Sequence, residues 1–384
     1  MSPIRHVLFI MKENRTYDQV LGDLPQGNGD KSLCLFPERI TPNHHKLARE
    51  FTLFDNFYVN ADVSAEGWLW TSAAIVPHFN MRQWPAAYAA RSRPQGNPDS
   101  DPTLVPTAGY LWTEVLKKGL LFRNYGFFVV NRKDVRPSGE VLALTSDPAL
   151  EPHSNRFYAG YDPGFPDIER AAVFLKDLQE FERTGTMPRL MTMVLPNDHT
   201  FGTAPGKLTP YSSMADNDLA FGRIVEALSK SRFWPHLAIF VVEDDAQNGP
   251  DHIDSHRAPA YVISPYIRRG YVDSTFYNTT SVLRTIEMIL GLSPMTQYDA
   301  TASPILAAFQ SKPDLHPFQA APANISLTEK NPARSPTAAA SLQLDFSAPD
   351  RADDLELNRV LWKALRDAEP PAPTRGAFLR YRDE

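Results

Sequence analysis

The sequence predicts an α/β fold with a mostly parallel central sheet. Three short apolar runs, at residues 6–11, 189–195 and 237–242, are typical of strands that are buried on both faces of a sheet. An amphipathic helical pattern at 212–231 separates the second run from the third, as expected of the crossover that joins two parallel strands. These observations favour a sheet with helices packed on it.

The first predicted strand, HVLFIM at 6–11, ends in polar residues that include Glu13 and Asn14. Ligands of open α/β sheets gather at the carboxyl ends of the strands, so these two side chains are candidate site residues. Their oxygen atoms suit a hard cation. An ordinary surface turn is the alternative interpretation of this strand end.

A further strand is predicted at 53–59, and the turn after it brings Ser64 ahead of an apolar helical segment. Serine is a common N-cap residue, so a simple cap accounts for this hydroxyl. The same position also presents an oxygen to an anion held by backbone N–H groups, which suits a nucleophile that attacks phosphorus. Asp62 stands two residues before Ser64, so the G-x-S-x-G elbow of serine esterases is absent.

Residues 77–152 are rich in proline and aromatic residues and are predicted to form an insertion that builds the substrate pocket. Within it, the run 120–130 is compatible with a strand interrupted by Gly126. The strand at 189–195 ends in PNDH, which places Asp198 and His199 at another strand end.

The helix after this strand has a capping pattern at 213–216, and a second amphipathic helix begins after the cap residue Asn278 and stops at Gly291. Residues 312–350 are predicted to form a long surface connection, and 353–368 a terminal helix. We therefore predict a catalytic domain at 1–310 and a C-terminal extension at 311–384.

The loop between the strand at 237–242 and the next apolar run carries five carboxylates and two histidines. Three adjacent acids, Glu243, Asp244 and Asp245, close the buried strand, and such a cluster stays ionised only if a metal or basic groups neutralise it. His252 and His256 follow within reach. A solvated acidic turn is the alternative, which the flanking buried strands disfavour.

Two other metal motifs fail on spacing in this loop. An EF-hand that starts at Asp244 would have Ala246 at its third position and Ser255 at its twelfth, where a bidentate Glu belongs. His252 and His256 are four residues apart, as in the zinc-protease helix, but prolines bracket the segment at 250 and 259.

The composition is that of a globular protein, with 42% apolar and 22% charged residues. A net charge of −6 and the lack of a basic stripe argue against nucleic acid as a partner. The single cysteine, Cys34, excludes an intramolecular disulfide. No apolar run is long enough for a membrane span, and the N-terminus lacks the layout of a signal peptide.

The stretches MKENRTYDQVLG, VSAEGWLW, LPNDHT and VVEDDAQNGPDHIDSHRAPAYVISPY resemble the bacterial phosphoesterase family that contains phospholipases C and acid phosphatases, within the alkaline phosphatase superfamily. The resemblance covers roughly residues 5–300, and the terminal LNRVLWKALRD is also similar. It implies an alkaline-phosphatase-like α/β/α sandwich. It also implies that the protein hydrolyses phosphate esters with one or two divalent metal ions, and Zn, Mn, Mg and Ca are all candidates. It also implies export from the cell.

By this resemblance, Ser64 is the nucleophile that becomes phosphorylated, and the first metal is held by the residues that match the family's ligands, namely Glu13, Asn14, Asp244 and Asp245. A second metal would be held by Asp198, His199 and His256, with His252 as a competitor for the last place. The chain departs from the binuclear pattern because the acid and the histidine at 198 and 199 are adjacent. It also has Trp68 where family members often have histidine.

The predicted reaction is the hydrolysis of a phosphate ester, either a small molecule or a phospholipid headgroup, as by a phosphatase or a phospholipase C. His199, His252 or His256 could protonate the leaving alkoxide. A sulfatase or phosphonate hydrolase is a second enzymatic interpretation, and no oxidation motif surrounds Ser64 to support a sulfatase. A metal-binding module without catalysis is the interpretation from another class.

Overall fold

The computed structural model describes residues 2–88, 102–132, 142–145, 147–347 and 351–371. The strands of these ranges are β1 His6–Lys12, β2 Thr52–Phe54, β3 Phe57–Tyr58, β4 Phe122–Tyr125, β5 Val130–Arg132, β6 Leu142–Leu144, β7 Leu190–Leu195, β8 Leu237–Glu243, β9 Ala260–Ile263, β10 Tyr271–Asp273 and β11 Tyr277–Asn278. The helices are α1 Tyr17–Leu21, α2 Pro42–Glu50, α3 Ser64–Ala73, α4 His78–Tyr88, α5 Leu111–Lys117, α6 Asp167–Thr184, α7 Pro210–Ser229, α8 Thr279–Leu290, α9 Gln297–Thr301, α10 Ala338–Ser341 and α11 Asp354–Arg366.

The central sheet has the strand order β4-β7-β1-β8-β9, and β9 alone runs antiparallel to its neighbour. β1, β7 and β8 are the three apolar runs of the sequence, and nearly every residue in them is buried. Strands covered on both faces need no polar alternation, which is why these runs are continuously apolar. The prediction of an α/β fold with a mostly parallel sheet is confirmed.

One face of the sheet is covered by α2 and α7. Ile10 pairs with Val241, which pairs with Tyr261, so these three side chains share a face. The Tyr261 ring contacts His44 of α2 and Phe221 of α7 edge to face.

The opposite face is covered by α3 and α5. Phe9, next to Ile10 in β1, points the other way and packs against Phe127. Phe127 in turn contacts Trp68 of α3 and Trp112 of α5. Helices therefore lie on both faces, and the molecule is an α/β/α sandwich.

The strand predicted at 53–59 is not one strand of the central sheet. It is divided at Asp55 and Asn56 into β2 and β3, which pair in parallel with β10 and β11 in two small separate sheets. Two polar turn-forming residues interrupt the apolar run, and its partners lie more than two hundred residues away in sequence.

The proline-rich stretch 77–152 contains part of the sheet as well as helices. The run predicted as a strand forms β4, the edge strand next to β7, and ends at Gly126, whose φ of +99° begins a turn. Residues 89–101, 133–141 and 146 of this stretch lie outside the described residues. The use of this stretch as a substrate pocket stays a prediction.

Helix α8 has the predicted cap and end, and a terminal helix, α11, is present where one was predicted. Asn278 accepts a hydrogen bond from the backbone N–H of Ser281, and α8 ends at Gly291 with a φ of +69°. α11 begins after Asp353, whose side chain accepts from Glu356 N. Helix α7 differs from prediction, because it begins earlier and is capped by Thr209. The domain division at 310 stays a prediction.

No helix among the described residues combines the length and the apolar character that crossing a membrane requires.

Candidate active site

The register of the sheet brings three polar strand ends to one edge. Lys12, the last residue of β1, is level with Leu195 of β7 and with Glu243 of β8. The residues that follow these strands, including Glu13, Asp198 and the acids after Glu243, therefore emerge together. All of them are buried.

Ser64 reaches this edge from the first turn of α3. Its backbone N–H lies at the start of the helix, where Val63 is the cap residue and no side chain caps the helix. The Ser64 hydroxyl donates a 2.7 Å hydrogen bond to Asp245 Oδ2 and lies 3.5 Å from Asn14 Oδ1. Ser64 is thus one of the residues of the cluster and not an isolated N-cap.

Gly67, one turn into α3, explains how the helix comes so close to the loop after β8. A Cβ atom at this position would lie 2.7 Å from the carbonyl oxygen of Asp244. That oxygen belongs to the backbone and cannot move aside cheaply. Only glycine permits this approach of α3 to Asp244.

Three side chains form a compact group of oxygen atoms beside Ser64. Asn14 Oδ1 lies 3.1 Å from Glu13 Oε2 and 2.9 Å from Asp244 Oδ1. Neighbouring oxygen ligands of a cation that binds at about 2.1 Å are about 3 Å apart in octahedral geometry, so this group matches a cation site. With the carboxamide rotated, the amide nitrogen would donate to both carboxylates.

The buried charges around the cluster do not balance. Five carboxylates (Glu13, Asp198, Glu243, Asp244 and Asp245) stand against two basic side chains, Lys12 and Arg15. Uncompensated charge is costly to bury, so the donor set and its charge fit a divalent cation.

Lys12 and Glu243 reduce the excess of negative charge in the cluster. Lys12 Nζ lies 2.8 Å from Asp198 Oδ2 and 3.5 Å from Glu243 Oε1. Burial raises the pKa of Glu243 to about 8, against the opposing effect of Lys12, and the carboxylates of Asp198 and Asp244 raise it further. With Glu243 protonated, the remaining carboxylates of the cluster still outnumber the two basic side chains.

Asp198 and His199 are held at the back of the cluster. Asp198 Oδ1 accepts the backbone N–H of Glu13 at 3.1 Å, and the Arg15 guanidinium donates to the carbonyls of Asp198 and His199, both at 2.8 Å. The His199 ring lies edge-on to Tyr161 and Phe346. Burial lowers the pKa of His199 to about 4, so this imidazole is neutral at pH 7.

His252 belongs to a different group of side chains. Its Nδ1 lies 2.6 Å from Asp18 Oδ2, and ligand atoms of Asp18, Asp251 and His252 lie within 4.8 Å of one another. Arg257 donates to both of these carboxylates at 3.0 Å. The guanidinium already supplies positive charge at this place, which a metal would otherwise have to supply.

His256 lies between two carboxylates near the start of α3. Its Nε2 is 2.6 Å from Asp62 Oδ1, and its Nδ1 is 2.7 Å from Asp254 Oδ1. The hydrogen bond with Asp62, ahead of that with Asp254, raises the pKa of His256 to about 9 in spite of partial burial. The imidazolium form therefore prevails at pH 7.

The structure thus brings Glu13, Asn14, Ser64, Asp244 and Asp245 into one cluster. Asp198 braces that cluster through a backbone N–H, while the side chains of His199, His252 and His256 have the separate partners described above. None of these contacts tests the proposed roles of the side chains, which stay predictions.

Sequence reasoning missed several residues around the cluster. Lys12 and Arg15 belong to the MKENRT stretch but were not predicted as site residues. Their signal was the acidic cluster itself, because buried carboxylates need basic neighbours. Asp62 gave no signal beyond its proximity to Ser64. Gln247 lies in the acidic loop, and its Nε2 is 3.5 Å from Ser64 Oγ, but the sequence did not predict it as a site residue.

The fold and the site define an α/β sandwich with a buried hydroxyl beside a candidate cation site at the carboxyl ends of parallel strands. The family model described as the Phosphoesterase family matches residues 26–293, well over half of the chain. The chain therefore belongs to the phosphoesterase family, and its recognition as a member of that family is confirmed. Membership supports the hydrolysis of phosphate esters as its general activity.

Several solved structures are similar to this chain. A protein in the alkaline phosphatase superfamily from Vibrio parahaemolyticus is 15% identical, with 78% of this chain and 70% of that chain covered and a TM-score of 0.49. The lipoteichoic acid synthase LtaP from Listeria monocytogenes is 9% identical, with 78% and 76% covered and a TM-score of 0.49. The phosphonate monoester hydrolase of Agrobacterium radiobacter is 12% identical, with 76% and 74% covered and a TM-score of 0.44. Comparison with curated proteins gave no significant match.

Proposed function

We propose that the chain is a metal-dependent phosphoesterase that forms a phosphoseryl intermediate on Ser64. The observation that carries this proposal is the 2.7 Å hydrogen bond from the Ser64 hydroxyl to Asp245, made beside the oxygen group of Glu13, Asn14 and Asp244. A hydroxyl that is hydrogen-bonded to a carboxylate at the start of a helix has both a proton acceptor and backbone N–H groups to receive an anion.

The residues proposed to hold a divalent cation are Glu13, Asn14, Asp244 and Asp245. A bound cation would offset negative charge on phosphoryl oxygens and lower the pKa of the serine hydroxyl. All-oxygen ligation favours Mg, Mn or Ca, whereas a site that included His199 would favour Zn. The low pKa of His199 suits a ligand, because a metal binds neutral imidazole. A second metal, with Asp198 and a histidine, is the further part of this proposal.

In the first step, Ser64 Oγ attacks phosphorus while its proton passes to Asp245 Oδ2. The Oγ–P bond forms and the bond from phosphorus to the ester oxygen breaks, which leaves an alkoxide that must take up a proton. In the second step, water attacks the phosphoserine and gives a proton to the imidazole that protonated the alkoxide. The P–Oγ bond breaks, Ser64 Oγ takes its proton back from Asp245 Oδ2, and inorganic phosphate or a phosphomonoester leaves.

His256 is the proposed proton donor to the alkoxide. Its pKa of about 9 keeps the imidazole protonated at pH 7. Its two N–H groups face Asp62 and Asp254, both partly exposed, so an entering substrate oxygen has to replace one of these partners. Because His199 is neutral at pH 7, it is the weaker candidate for this role.

The test compares Ser64→Ala with Ser72→Ala. Both serines are buried in α3, but Ser72 donates to the carbonyl of Trp68 and lies two turns further along. A panel of phosphate monoesters, diesters and phosphatidylcholine is assayed with Zn, Mn, Ca or a chelator. We expect Ser64→Ala to abolish turnover and Ser72→Ala to retain it, and mass spectrometry of quenched wild-type enzyme to find phosphate on Ser64.

Undiminished turnover by Ser64→Ala would show that Ser64 is not the nucleophile. If no substrate of the panel turns over with any of the ions, a metal-binding module without catalysis explains the site better. Turnover of phosphatidylcholine alone would identify a phospholipase C. The exported location implied by the family resemblance is a separate proposal, which cell fractionation tests.

A further inference from the structure

The C-terminal helix α11 contacts the loop that carries Asp244 and Asp245. Asn358, in the second turn of α11, donates a 2.7 Å hydrogen bond from Nδ2 to the backbone carbonyl of Gln247. Its Oδ1 accepts from Gln19 Nε2 of α1 at 3.3 Å. The carboxamide of Asn358 therefore connects the C-terminal extension to two segments that lie next to the cluster.

The residue held by Asn358 has an unfavourable backbone conformation. Gln247 has a φ of +42° and Asn248 has a φ of +53°. Two consecutive residues are therefore in the left-handed region of backbone conformation, which residues other than glycine rarely adopt. Such a conformation persists only where surrounding contacts enforce it. The hydrogen bond from Asn358 is one such contact, and the turn bond from Gly249 N to Ala246 O at 2.9 Å is another.

The consequence of this conformation is the direction of the Gln247 side chain. Gln247 is buried, its Nε2 lies 3.5 Å from Ser64 Oγ, and its carboxamide lies against that of Asn14. It therefore touches both the proposed nucleophile and a proposed cation ligand. A change in the backbone at Gln247 would move this carboxamide away from both.

The docking of α11 supports the same arrangement. Leu357 and Val360 are buried and face Gly202, where an added Cβ would lie 3.1 Å from Val360 Cγ1. Gly202 follows the strand end that carries Asp198. Because α11 packs on this loop and bonds to Gln247, it connects the loops after β7 and β8.

We propose that Asn358 is a positioning residue, which holds the backbone of Gln247 so that the Gln247 carboxamide orients Ser64 and Asn14. The C-terminal extension is then part of the catalytic unit. This inference rests on the proposed role of Ser64, and its test includes a measurement that does not depend on that role.

The experiment uses the full chain with Asn358→Ala, Gln247→Ala, the double variant, and Asn358→Asp. Asn358→Asp retains an acceptor for Gln19 but cannot donate to the Gln247 carbonyl. The matched control is Asn331→Ala. Asn331 also lies in the extension and donates to backbone carbonyls, at Gly202, Ala204 and Leu208, without touching Gln247. Asn331→Ala therefore shows what weaker docking of the extension does when the contact with Gln247 is kept.

We expect Asn358→Ala, Asn358→Asp and Gln247→Ala each to lower kcat about tenfold and to change KM less than about twofold. The double variant should be no slower than Gln247→Ala, because both changes remove the same orientation. Amide hydrogen exchange at residues 246–249 should rise in Asn358→Ala. Asn331→Ala should lower the melting temperature and leave kcat unchanged.

The proposal is wrong if kcat of Asn358→Ala stays within twofold of wild type, if Asn331→Ala lowers kcat equally, or if the two active-site effects multiply in the double variant. Failure of the proposed function gives a different pattern, in which Ser64→Ala stays active. Hydrogen exchange at 246–249 then still decides whether Asn358 holds the loop, and unchanged exchange would overturn the inference.

Discussion

Ser64 Oγ donates to Asp245 Oδ2 across 2.7 Å, although the two residues are 181 positions apart in the chain. One side chain comes from the first turn of α3 and the other from the loop after β8. This contact joins the proposed nucleophile to the proposed cation site.

Asp245→Asn should lower kcat by about 10²–10⁴-fold, because an amide cannot take the serine proton and contributes no negative charge to a cation. Steady-state kinetics on a chromogenic phosphate ester measures the effect. Asp314→Asn is the matched control, since Asp314 lies near the surface and bonds to His316 and Arg269. Wild-type kcat in Asp245→Asn would exclude Asp245 as proton acceptor.

A divalent ion should stabilise the fold, because it neutralises the excess of buried carboxylates. At an ion concentration 100 times the Kd, the expected gain in the free energy of unfolding is about 2.7 kcal/mol. Thermal unfolding with ion or with chelator measures it. Glu13→Gln should remove most of the gain, whereas Glu38→Gln, which changes an exposed partner of Arg49, should retain it. An equal gain in both variants would place the ion elsewhere.

The basic limb of the pH–rate profile should depend on Asp62. If protonated His256 supplies the proton, the rate falls as pH rises through about 9, the pKa of His256. The hydrogen bond with Asp62 is the largest cause of that high pKa, so Asp62→Asn should move the fall in rate to lower pH. Asp345→Asn, at the surface, should leave the profile in place. An unmoved limb in Asp62→Asn would remove His256 from the proton transfer.

Helix α8 carries a buried acid that should make stability fall as pH rises. Burial, and then Asp299, raise the pKa of Glu287 to about 9 from an ordinary value of 4.5, against the effect of Arg284. Between these values the unfolded chain releases a proton that the folded chain retains, so stability is full below pH 4.5 and is lost as pH rises towards 9.

Glu287→Gln should remove this loss, because the amide is neutral at every pH. Urea unfolding should show little change at pH 5 and a gain of about 2 kcal/mol at pH 8 relative to wild type. Glu226→Gln, which alters an exposed pair with Lys230, serves as the control. Equal effects of Glu287→Gln at both pH values would mean that Glu287 ionises normally in the fold.

Gly67→Ala should impair catalysis, although the added methyl group points at the backbone of Asp244. The added Cβ would lie 2.7 Å from the Asp244 carbonyl oxygen, so α3 has to move away from the loop and carry Ser64 with it. A displacement of about 1 Å at a reacting group can cost about 10²-fold in rate. In Gly164→Ala the nearest atom is a side-chain oxygen of Asp162, which can move, so that variant should keep its kcat. A fully active Gly67→Ala enzyme would contradict the close packing.

The central strands could be predicted from the sequence because burial on both faces leaves an uninterrupted apolar run. β1, β7 and β8 are all of this kind. The run at 53–59 is interrupted by Asp55 and Asn56, and its pairing with β10 and β11 depends on tertiary contacts that no local pattern encodes. The one-strand interpretation therefore failed there.

The site was predictable to the extent that it follows strand ends. Glu13, Asn14, Asp244 and Asp245 follow directly from that rule, whereas the partner of each histidine does not. His252 contacts Asp18, more than two hundred positions earlier, and nothing in the spacing of the loop distinguishes it from His256. Asn358 gave no chemical signal at all, since its contact with Gln247 exists only after α11 has packed.

The placement of β1 has a consequence for how the protein is made. This first strand lies in the middle of the sheet, and its end at Lys12 meets Glu243, which is synthesised 231 residues later. At about 5–20 residues per second, the apolar segment waits about 10–45 s on the ribosome before its second neighbour emerges. During that interval the unpaired backbone and the hydrophobic side chains of β1 can associate with other nascent chains. The yield of folded protein in an expression host should therefore depend on the supply of chaperones and on the rate of translation.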